Sequence, residues 1–136
     1  MHLLDGTMWR LVESRAWDAE GQPLPAPYGA RPVGQITFVH GRMLAALCNG
    51  DADVGDADRG FSSYGGPYTF DGTTLVVMVD VAADRSRLGG KQVRNVVLEG
   101  SRMLLRPPLR RYGDAQQRRE LAWECVWRAD GAAHGG

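Results

Sequence analysis

Residues 64–70, Tyr-Gly-Gly-Pro-Tyr-Thr-Phe, set large side chains against small ones, and Asp71-Gly72 closes the run. Alternation of this kind marks a strand with one buried face, and Asp-Gly is a strong short-range hairpin signal. Similar runs, each closed by Gly, Pro or Asp, occupy 7–17, 33–40, 42–48, 73–81, 92–98, 101–106 and 119–127. No long segment holds a 3.6-residue period, so helices are not expected to carry the fold. Many short strands in 136 residues predict a sheet that closes on itself, because closure removes exposed edges. The expected architecture is all-β: an eight-stranded antiparallel up-and-down barrel over residues 1–128. Residues 129–136 are small and polar and are expected to form a disordered tail. A closed sheet of eight strands has a lumen that side chains fill or one small ligand occupies. Function is therefore sought in the lumen.

Composition excludes several classes. The formal net charge is zero, so no global field draws the chain to nucleic acid or to acidic membranes. Lys91 is the only lysine among sixteen basic residues, a bias that weakens any single arginine as a functional signal. Residues 1–6 have neither a basic region nor a long apolar run, and no stretch reaches the ~20 apolar residues of a membrane span. Cys48 and Cys125 are too few for a disulfide scaffold, and a cytoplasmic location is expected. Asp51, Asp53, Asp56 and Asp58 invite a calcium loop, but neither register places Gly at position 6 and Glu at position 12. His2, His40 and His134 are scattered, so no metal site is expected. No phosphate loop, nucleophile elbow or cofactor motif is present. Arg106, Arg110, Arg111, Arg118 and Arg119 make one connection basic, yet Asp114 and Glu120 interleave. A nucleic-acid partner is not expected.

Several segments in order carry a resemblance. They are Gly6-Thr7-Met8-Trp9-Arg10-Leu11, Pro32-Val33-Gly34-Gln35-Ile36, and Tyr64-Gly65-Gly66-Pro67-Tyr68 with Asp71-Gly72. Gln92-Val93-Arg94, then 98–105 before Pro107-Pro108, and Leu121-Ala122-Trp123-Glu124 complete the set. Over about residues 4 to 127 the chain resembles the bacterial and fungal lipocalin-like domain family, small relatives of the calycin barrels. The resemblance implies the barrel more than any activity. Three departures stand out. Met8 is inserted before Trp9, Val77-Met78 stand where the family often has His-His, and Cys125 stands where it has arginine.

The candidate pocket is drawn from the predicted inward faces: Trp9, Leu11, Glu13, Phe38, Tyr64, Tyr68, Val77, Arg94 and Trp123. On 92–98, Gln92, Arg94, Val96 and Leu98 share a face. If Val96 and Leu98 point inward, Arg94 does too and needs a partner, for which Glu13 is the choice. Should the other face point in, Arg94 is a surface cation. Tyr64 and Tyr68 flank Gly66, which would leave a slot suited to a flat, mostly apolar ligand with one carbonyl or carboxylate. The alternative is that both tyrosines plug the barrel mouth. Three functions suit such a lumen: binding of a small hydrophobic or amphipathic molecule, a cofactor-independent isomerase or cyclase with Glu13 as base, or a structural module with a filled barrel. No set of residues identifies a reaction. Apolar residues on the outward faces favour a homodimer.

Overall fold

The computed structural model describes residues 4–108, 110–112 and 115–129. Eight long strands form the barrel: β1 (Thr7–Asp18), β3 (Pro32–Val39), β4 (Arg42–Asn49), β5 (Ser62–Phe70), β6 (Thr74–Met78), β8 (Lys91–Glu99), β9 (Arg102–Arg106) and β11 (Ala115–Arg128). Each pairs antiparallel with its neighbour in the chain, and β11 pairs β1 from Thr7 opposite Arg128 to Asp18 opposite Gln117. The sheet is closed. This is the eight-stranded up-and-down barrel that the alternation predicts. Three short strands are added at one end: β2 (Pro23–Leu24), β7 (Val81–Ala82) and β10 (Arg110–Tyr112).

Two of those short strands correct the sequence expectation. Prolines at 23, 25 and 27 disfavour both helix and ladder, yet Pro23 and Leu24 pair Trp17 and Ala16. A proline is tolerated there because β2 is an edge, where its missing N–H faces no partner. The arginine-rich segment expected as a loop forms a hairpin, with β10 pairing the start of β11. Of the tail expected at 129–136, Ala129 is described and donates its N–H to the Gly6 carbonyl at 2.8 Å. The other tail residues lie outside the described ones.

The two ends of the barrel differ. One carries the tight turns at 40–41, 71–73 and 100–101; the other carries the longer connections 19–31, 50–61, 79–90 and 107–114. At the turn end His40 (φ 50°) and Gly41 (φ 76°) both lie in the left-handed region, as a two-residue hairpin of the right twist requires. The Asp5 carboxylate accepts both of their N–H groups, at 3.1 and 2.9 Å. Leu4, Phe38, Met43 and Met103 are at most 2% exposed and pack this end shut.

Exposed carboxylates fasten several connections. The Thr73 and Thr74 amides donate to Asp71, Arg42 grips Asp80, and Ser86 donates to Asp84. In each case those hydrogen bonds hold the carboxyl below its ordinary range. A carboxyl with a depressed folded-state pKa binds fewer protons than in the unfolded chain. Its contribution is present above the unfolded value and is lost as pH falls through the folded one. The urea midpoint is therefore expected to hold near neutrality and to fall below about pH 4. An unchanged midpoint at about pH 3 would refute this.

Candidate functional site

The interior is not one lumen. Its lower half, toward the tight turns, is a packed core, and the upper half holds a cavity of about 100 Å³. Ile36, Ala45 and Trp123 are at most 2% exposed and lie deepest in the cavity wall, with Leu47 and Leu105 beside them. Arg87, Arg94, Arg119, Ser62 and Tyr28 line it with partly exposed side chains. Three of the four longer connections reach it, through Tyr28, Arg87 and Pro107. Tyr28 is held over the cavity by its backbone N–H, which donates to the buried Ser14 hydroxyl at 3.1 Å.

The residues expected to share one pocket are divided. Tyr64, Arg94 and Trp123 line the cavity. Trp9, Leu11, Phe38, Tyr68 and Val77 are buried in the core cluster and do not line it. Trp9 gives its indole N–H to the Thr7 hydroxyl at 2.8 Å, and that hydroxyl donates in turn to the Leu4 carbonyl. Tyr68 belongs to the sealed end. Its ring meets Phe38 edge-on at 5.0 Å, and its hydroxyl donates to Asp5 at 2.8 Å. Burial first, then that hydrogen bond, raises the phenol far above its usual range, so it stays protonated.

Glu13 is a correction. A register shift between Leu11 and Glu13 leaves Val12 without an opposite residue. Such a bulge reverses the phase of everything beyond it. Ser14 and Ala16 take the buried positions, while Glu13 is 41% exposed and pairs with Arg15 at 2.8 Å. It is neither a pocket residue nor the partner of Arg94, and the isomerase reading loses its base. At the inserted Met8 the β1–β11 register shifts by one residue beside Trp9, and Val126 on β11 is the residue left without an opposite.

Gly66 is a second correction. The slot expected between Tyr64 and Tyr68 does not exist, because β6 and β7 both pair β5 and the chain between them crosses close to Gly66. A Cβ built there would lie 1.9 Å from the Met78 carbonyl oxygen.

On β8, Val96 is buried and Val93 is 38% exposed, so the face carrying Arg94 points inward. Arg94 donates to the Gln92 side-chain oxygen at 2.9 Å and to the Val93 carbonyl at 2.8 Å, with no carboxylate partner among the described residues. Its guanidinium lies 6.0 Å from the Tyr64 ring centroid, and that of Arg87 lies 5.1 Å from the same ring. Arg87 also donates to the Ser62 hydroxyl at 3.3 Å. Among the described residues, no Asp or Glu lines the cavity. Nε1 of Trp123 is the one buried side-chain polar atom without a hydrogen-bond partner among the described residues.

Two of the cations were missed in the sequence for different reasons. Arg119 shares the phase of Leu121 and Trp123 on β11, so alternation counted backwards from Trp123 reaches it. Arg87 sits in a three-residue 3-10 turn, Arg85–Arg87, where no period assigns a face.

No family model and no curated protein matches the chain. In three dimensions it is similar to a lipocalin-like protein from Bacteroides uniformis of known crystal structure. The two are 17% identical, the alignment covers 90% of this chain and 98% of that one, and the TM-score is 0.49.

Proposed function

We propose that this chain binds a small amphipathic molecule in the upper half of the barrel. The observation that carries the reading is Arg94, which reaches a half-apolar cavity with no carboxylate partner among the described residues, beside Arg87 and Arg119 in the same wall. A cation in a partly apolar wall loses hydration, and a structure that needs it only for stability ordinarily supplies an acidic partner, which Arg94 lacks among the described residues. Apolar walls with a few converging polar groups are what a ligand site requires. The cavity is smaller than the ~300 Å³ at which drug-sized sites begin, so the occupant is correspondingly small. The packed lower half supports the filled-barrel alternative for that half alone.

A second copy of the chain is a further part of the proposal. Leu44 and Val81, each about half exposed, lie either side of Gly65 in the sheet register. They form an apolar strip on the outer wall. Native mass spectrometry of the purified protein tests both parts. A retained small mass on the barrel is expected, and so is a dimer peak. A bare chain that also takes up no amphipathic acid on titration would refute ligand binding, and a monomer at micromolar concentration would refute the pairing.

A further inference from the structure

We infer that the occupant is a short, branched apolar chain ending in an oxyanion, held with its tail inward and its charge at the mouth; this rests on the binding reading above. Orientation follows from how the wall is graded. Its deepest residues, Ile36, Ala45 and Trp123, are at most 2% exposed and bring no charge. Arg87, Arg94 and Arg119 are all partly exposed and stand at the end that carries the long connections. A charge placed at the floor would be buried with no cation beside it and only the neutral Trp123 indole N–H within that wall, which is disfavoured. At the rim the same charge meets guanidinium groups, which offer donors only.

The sign and the geometry of the head follow from those donors. Arg87 and Arg94 both approach the ring of Tyr64, at 5.1 and 6.0 Å. An aromatic face restricts the plane of a guanidinium. Arg94 gives two of its N–H groups to neutral oxygens, and the five donors of a guanidinium leave others for a ligand. The Tyr64 hydroxyl makes no hydrogen bond among the described residues and adds a further donor. Planar donors held in place suit carboxylate or phosphate oxygens.

Volume limits the tail. About 100 Å³ is roughly the share of three water molecules, and a dry cavity that takes benzene is about 150 Å³. A short branched alkyl end fits; an aromatic ring or a long acyl chain does not.

Titration of the full chain, followed by tryptophan fluorescence at low salt, tests this with four probes. They are 4-methylpentanoate, its neutral amide, isopentyl phosphate and decanoate. The acid or the phosphate is expected to bind at least about tenfold more tightly than the amide. The stronger of the two identifies the head group. Arg87→Met and Arg94→Met should each remove most of that preference, weakening the acid far more than the amide; Arg10→Met, a charge loss on the outer wall, should not. Should either methionine variant fail to fold, Arg87→Gln or Arg94→Gln keeps a polar side chain without the charge. Equal binding of acid, phosphate and amide would overturn the anion assignment and leave the binding site standing. Decanoate binding about tenfold more tightly than 4-methylpentanoate would overturn the short tail. No response to any probe would overturn both this inference and the site itself.

Discussion

Gly66→Ala is expected to unfold the barrel or to lower its stability by about 3 kcal/mol or more. The position has φ 155°, a conformation that side-chain-bearing residues rarely adopt. The added methyl would sit 1.9 Å from the Met78 carbonyl oxygen and 3.1 Å from the Asp80 backbone nitrogen. Neither atom belongs to a flexible side chain, so the clash is relieved only by moving backbone. That backbone is fastened on both sides: Asp80 N–H donates to the Gly65 carbonyl at 3.0 Å, and Val79 N–H donates to the Gly90 carbonyl at 2.9 Å. Moving it also displaces Val79, which is 3% exposed in the core. Urea denaturation followed by circular dichroism measures the effect. A variant within about 1 kcal/mol of the parent would show that the segment between β6 and β7 yields easily.

Ala45→Leu is expected to abolish ligand binding while changing stability by no more than about 1 kcal/mol. Ala45 lies on β4 opposite Ile36 on one side and Tyr64 on the other, and it is 2% exposed at the cavity wall. Leucine there adds three carbon atoms to a space of about 100 Å³. Burying them gains about 0.8 kcal/mol per methylene-sized group, and off-rotamer strain offsets part of the gain. The titration with 4-methylpentanoate should lose about two orders of magnitude in affinity, because the tail's place is taken. Two results would contradict the cavity assignment: parental affinity, or a stability loss above about 2 kcal/mol, which would mean the space is too tight for leucine.

The strands, their order and the closure of the sheet were legible in the sequence. Their signals are local: alternation at period two, and turn pairs such as His40-Gly41 and Asp71-Gly72 that fix antiparallel neighbours. On β8 the alternation offered two faces, and burial of Val96 decided for the one that carries Arg94. Tyr64 and Trp123 were found by the same alternation.

What alternation does not carry is where it breaks. The bulge at Val12 arises from pairing with a strand more than a hundred residues away, and it sends Glu13 outward. At Gly66, the glycine that alternation offers as a gap is occupied by the backbone of another strand. Nor does periodicity say which end of a barrel is sealed. That depends on Leu4 and Asp5 folding under the tight turns, and on long connections bringing Tyr28 and Arg87 to the opposite end. Local pattern therefore determined the barrel, because each strand's faces follow from its own residues. Tertiary contact decided the site: its charge and volume come from loops and bulges whose positions are set only by what they pack against.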